Sequence, residues 1–200
     1  MKSRTKNSLC TSSRWRVDEL MNTYIALFRG INVGGKNILP MKQLIAILES
    51  LGCQNVTTYI QSGNAVFRHE ENNASLLIGR IAAAVLKSHG FEPHVILKTT
   101  DKLRKAMASN PYPDAESDPS KLHLFFLASE PGNPDLEVLE SIRAKNERFA
   151  VKRDVAYLHA PDGIGRSKLA ARIERALGVA GTGRNWRSVC KILEMATPRN

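Results

Sequence analysis

The chain reads as an α+β protein made of two consecutive halves, and three observations carry that reading. Apolar residues switch between a period of two and a period near 3.6 in the order βαββαβ from Tyr24 to Lys98, and most of that order restarts at Lys121. Between the two runs lies Asn110 to Ser120, where Pro111, Pro113 and Pro119 break both periods. Apolar residues make up 42% of the 200, enough for a real core, yet no run of about 18 apolar residues occurs, so no membrane-spanning helix is expected.

In order, Tyr24–Phe28 is a short buried strand. Met41, Leu44, Ile45, Leu48 and Leu51 recur at helical spacing, opened by Pro40 and closed by Gly52. Val56–Ile60 and Ala65–Arg68 flank a tight turn, Gln61-Ser62-Gly63-Asn64. Leu77, Ile78, Ile81, Val85 and Leu86 mark a second helix ended by Gly90, and His94–Lys98 reads as a strand. Thr100 can cap a short helix from Asp101 to about Ala108. The second pass has a strand at Lys121–Leu127, a helix carrying Leu136, Leu139 and Ile142, strands at Arg148–Val151 and Val155–His159, and a helix from Ser167 to Leu177. Gly178 to Gly183 then reads as a connection to a last helix from Arg184 to Met195. The expectation is two ferredoxin-like (βαββα) halves in tandem with an extra C-terminal helix. Residues 1–22 are expected to form a disordered basic tail, 23–99 the first half, 100–120 a short helix and Pro-rich linker, and 121–200 the second half with a basic last helix.

Charge is unevenly placed. Residues 1–22 hold five cations and two anions, 23–162 sixteen and fifteen, and 163–200 eight and two. The excess therefore belongs to the C-terminal segment and points to a polyanionic partner. Three cysteines with no C-x-x-C spacing argue against a disulfide framework and a zinc site, and suit a reducing compartment. The five histidines show no metal-ligand spacing, and no nucleophile elbow is present, so neither a metal nor a cofactor is expected.

Two glycine-rich loops are candidate anion sites. The first holds Arg29, Gly30, Asn32, Gly34, Gly35 and Lys36, between a strand and a helix. Its G-x-x-x-x-G-K-N spelling falls one residue short of a nucleotide P-loop: Asn37 stands where a magnesium-binding hydroxyl would be, and Pro40 starts the helix too late. The second holds Gly163, Gly165, Arg166, Ser167 and Lys168, with Ser167 equally readable as a simple helix cap. Gln61, Ser62, Gly63 and Asn64 form a polar turn, expected at the sheet end opposite the first loop. In the last helix, Trp186, Val189 and Leu193 form an apolar stripe, while Arg184, Arg187 and Lys191 repeat the spacing as a row of cations, with Asn185 beside them.

The stretches Y-I-A-L-F-R-G-I-N-V-G-G-K-N with P-M following, T-Y-I-Q-S-G-N-A-V-F, G-I-G-R-S-K-L and R-N-W-R-S-V-C-K-I are similar to the bacterial domain-of-unknown-function family 1697 from about Tyr24 to Met195. The resemblance implies a cytoplasmic, two-part α+β protein and implies no activity. Function is thus read from the residues: a binding module for phosphate-bearing ligands, nucleic acid among them. The alternatives are an enzyme acting on a small anionic metabolite through Gly30–Lys36, and a protein-interaction module.

Overall fold

The protein, seen here as a computed structural model, is described over residues 21–197. Two four-stranded antiparallel sheets and six helices follow one another as β1 (Asn22–Arg29), α1 (Met41–Ser50), β2 (Gln54–Tyr59), β3 (Asn64–His69), α2 (Ala74–His89), β4 (His94–Thr99) and α3 (Thr100–Ala108), then β5 (Leu122–Leu127), α4 (Leu136–Ile142), β6 (Arg148–Lys152), β7 (Val155–His159), α5 (Lys168–Leu177), β8 (Gly181–Asn185) and α6 (Trp186–Ala196). Single 3-10 turns lie at Pro113–Ser117 and Ile164–Arg166. The strands run β2-β3-β1-β4 in one sheet and β6-β7-β5-β8 in the other.

The same register occurs in both sheets. Leu27 pairs with Asn64 on one side and Ile96 on the other, and Phe126 pairs with Val155 and Thr182. Two residues earlier, Ile25 faces Lys98 and Leu124 faces Arg184. Because side chains alternate along a strand, each sheet has two apolar faces. Tyr24, Ala26 and Phe28 pack with Leu44, Leu48, Leu77 and Ile81 of α1 and α2. Phe125, Leu127 and Leu158 pack with Leu139 of α4 and Leu169 and Ile173 of α5. The remaining faces meet in a shared core: Ile25, Leu27 and Ile96 from the first sheet against Leu124, Phe126 and Tyr157 from the second, with Leu103 of α3 and Trp186 and Val189 of α6. The helices cross over, since α6 packs on β1, β2 and β3, and Tyr157 of β7 donates from Oη to Ala106 O of α3 at 2.7 Å.

Four expectations need correction. Gly181–Asn185 is a strand, so the second half ends in β8 and the last helix begins at Trp186, not Arg184. Glycine suits β8 here because a Cβ at Gly181 would lie 2.9 Å from Leu127 Cδ2, and one at Gly183 would lie 3.0 Å from the Phe125 ring. Thr99, not Thr100, caps α3, accepting from the Lys102 amide. The turn before β3 and the loop after β1 share one sheet end, since the end of β1 lies beside the start of its antiparallel partner β3, and Phe28 N donates to Gly63 O at 2.8 Å. Of the expected tail, residues 1–20 lie outside the described residues, while Asn22 already pairs with His69 in the sheet.

Candidate functional site

The loop after β1 is a miniature hairpin. Val33 and Lys36 pair across Gly34 (φ 60°) and Gly35 (φ 73°), both left-handed as a two-residue primed turn requires. Its neck is held by asparagines. Asn32 donates from Nδ2 to Leu39 O (2.9 Å) and Gln61 O (3.0 Å) and accepts from the Leu39 amide, while Asn37 donates to Gly30 O at 3.0 Å. Asn32 therefore has both amide protons engaged in joining the loop to the Gln61–Asn64 turn. Arg29 is engaged too: its guanidinium forms a two-bonded pair with Glu174 of α5, at 2.6 Å and 3.1 Å. Lys36 stands exposed on the hairpin, five residues before α1 begins. This geometry orders a loop and links it to α5; it does not present a nucleotide P-loop.

The polar turn has a second role. Arg184, on β8, reaches into the end of the first sheet. Its Nη2 donates to Phe28 O (2.7 Å), Ser62 O (3.1 Å) and Gly63 O (3.4 Å), its Nε to Asn64 Oδ1, and its Nη1 to Thr182 Oγ1 (2.6 Å) and Gly183 O (2.9 Å). Burial pushes this guanidinium down to about 10, which leaves it charged at neutral pH. At 8% exposure Arg184 is a pin between the sheets, not the phosphate contact its spacing from Arg187 suggests. Lys98, at the matching position of β4, reaches the other way, to Asp154 and to Leu127 O. Gly63 belongs to this pin: a Cβ there would lie 2.7 Å from both Phe28 Cβ and Ile31 Cδ1.

The rest of the expected cation row also disperses. Trp186 is buried in the shared core, and Asn185 caps α6 by accepting from the Ser188 amide at 2.9 Å. Arg187 is exposed, and Lys191 pairs with Glu194 at 2.8 Å. In the Gly163–Lys168 loop, Gly163 is left-handed (φ 95°), and Gly163, Arg166 and Ser167 donate their amides to turns within residues 160–167. Buried Ser167 caps α5, accepting from the Ala170 amide at 3.0 Å. Gly165, Arg166 and Lys168 are exposed. Among the described residues, no group of three or more His, Cys, Asp or Glu side chains is placed to hold a metal ion.

A concave site lies elsewhere, between α4 and α5. A cleft of about 280 Å³ is lined by Asp135, Val138, Arg172, Arg175 and Ala176. Asp135 N donates to Ala176 O at 2.8 Å, tying the start of α4 to the end of α5, and one Asp135 carboxylate oxygen caps α4 by accepting from the Val138 amide. Leu169, Ile173, Ala176 and Leu177 face the core, which turns Lys168, Arg172 and Arg175 outward at i, i+4 and i+7. Among the described residues, none of these three cations has a hydrogen-bonding or ion-pairing side chain. Glu174, the acid on this helix, is neutralised by Arg29. The sequence carried this signal, since the cation spacing complements the Leu169, Ile173, Leu177 stripe.

The family model described as "Protein of unknown function (DUF1697)" matches residues 21–157. The chain belongs to that family. The matched residues include Asp135 and Val138 of the cleft and end before α5. The fold is similar to that of the conserved bacterial protein SP0830 from Streptococcus pneumoniae, at a TM-score of 0.66 and 24% identity, covering 88% of this chain and 99% of that one. No curated protein matches the chain. No helix among the described residues is long and apolar enough to cross a membrane.

Proposed function

We propose that this protein is a binding module for phosphate-bearing ligands and that its contact surface is the α5 side of the cleft. One observation carries the reading: Lys168, Arg172 and Arg175 form an exposed row at i, i+4, i+7 without partners among the described residues, and two of them wall a cavity. A guanidinium presents its donors as a planar fork that matches phosphate oxygens, and two forks on successive turns suit a dianion. The Arg29–Glu174 pair removes the acid that would repel it. In this reading the glycine loop after β1 is structural. The repeated βαββαβ order, with strands arranged 2-3-1-4, is read as a tandem ferredoxin-like plan, which hosts many functions and selects none. Free Cys53 and Cys190 support a cytoplasmic location.

The test is calorimetric titration of the full chain at low salt with phosphorylated compounds and their unphosphorylated counterparts. Binding only of the phosphorylated members, lost in the Arg172→Gln/Arg175→Gln variant and retained in Lys36→Ala, is the expected outcome. Loss on Lys36→Ala with the α5 variant unaffected would return the site to the hairpin.

A further inference from the structure

Resting on that reading, we infer that the cleft takes a small phosphate monoester whose body carries hydroxyl or amino donors, and not the backbone of a nucleic acid. Size is the first argument. A cleft of about 280 Å³ is close to the lower end of small-ligand pockets, roughly 300–1,000 Å³, which suits a pentose or hexose phosphate.

The lining is the second argument. Arg172 and Arg175 provide the anion end, while Asp135 provides an acceptor in the same cavity. Asp135 forms no ion pair with either arginine among the described residues. One of its oxygens is engaged with the Val138 amide, which orients the carboxylate, and its other oxygen has no hydrogen-bond partner among the described residues. A carboxylate beside two arginines weakens the binding of a bare anion by repulsion. It strengthens the binding of a ligand that brings a donor with its phosphate, so it acts as a discriminator. Val138 and Ala176 give the body of such a ligand an apolar surface to rest on. A polynucleotide would touch the α5 row from outside and leave Asp135 facing its phosphates.

The experiment titrates the full chain with inorganic phosphate, ribose 5-phosphate and a short single-stranded oligonucleotide, each against wild type, Asp135→Asn and Arg172→Gln/Arg175→Gln. Asn remains a good helix cap through its Oδ1, so Asp135→Asn keeps α4 while the charge is lost and the other acceptor oxygen becomes an NH2 donor. The inference expects ribose 5-phosphate to bind wild type at least about tenfold more tightly than inorganic phosphate. Asp135→Asn should erase that preference while leaving inorganic phosphate as tight or tighter, and the double arginine variant should abolish both. Equal binding of the two small probes to wild type would overturn the inference and leave the phosphate reading standing. Tighter, arginine-dependent binding of the oligonucleotide would overturn it in favour of nucleic acid. Failure of all three probes to bind would remove the phosphate reading itself.

Discussion

In the first half, His89 Nε2 of α2 meets Gln43 Oε1 of α1 at 2.6 Å, bridging the two helices on the outer face of the sheet. In the second half the corresponding helices leave a cleft lined by two arginines and an aspartate. Aligning the left-handed helix stops Gly90 and Gly178 places Ala84 and Lys87 where α5 has Arg172 and Arg175. The framework repeats, down to a basic residue on the fourth strand that crosses into the other half. The outer helix faces differ. On the same alignment Arg80 and Lys87 stand where α5 has Lys168 and Arg175, so the cation row differs at Ala84 against Arg172 alone. The contrast teaches that one added guanidinium, beside Asp135, sets the second outer face apart.

The crossing cations differ as well, and substituting them measures that difference. Arg184 satisfies six acceptors, all neutral, in a buried site. Arg184→Met strands Phe28 O at the end of β1 and Asn64 Oδ1 at the start of β3, and a loss of about 3 kcal/mol is expected. For a chain of this size that is a drop of roughly 6–12 °C in Tm by calorimetry. Lys98→Met should cost less, about 1 kcal/mol, because its partner Asp154 is 41% exposed and can be rehydrated when the ammonium is lost. Equal losses at the two positions would show that burial of the acceptors does not separate the halves.

The smallest expected effect is a pH dependence placed in the second half. Burial first, and the facing Arg148 guanidinium second, lower the pKa of His159; its Nδ1 accepts from Arg148 at 3.1 Å. Burial likewise lowers that of His123. A histidine depressed in the folded state takes up its proton more readily when unfolded. Its contribution is therefore present above the unfolded value near 6.5 and is lost as pH falls through the folded one. Urea midpoints should fall between about pH 7.5 and pH 5.5, and His159→Gln, which can still accept from Arg148, should shallow that fall. A rise in midpoint with acid would contradict the burial argument.

Much of the fold was legible because helical periods and caps are local. Leu44 and Leu48, Gly90 as a stop and Ser167 as a cap all sit where their spacing placed them. Strand β8 was not, because Gly-Thr-Gly-Arg-Asn has no apolar residue: its glycines make room for Leu127 and Phe125, a reason that resides in β5. Arg184 misled for the same cause, since the acceptors that bury it are up to 156 residues away in the chain. Asp135 caps α4 and Arg172 lies on α5, and only the packing of α4 on α5 makes them one cavity. The β2–β3 turn was expected at the wrong sheet end, although the antiparallel pairing of β1 with β3 alone puts it beside the loop after β1.

The most direct measurement is NMR of the arginine side-chain Nε–Hε signals and backbone amides during titration with ribose 5-phosphate. The account predicts saturable shifts at Arg172 and Arg175, with Arg184 and the Gly34 and Gly35 amides unmoved. Shifts confined to the Gly34–Lys36 hairpin, with the α5 arginines silent, would contradict it.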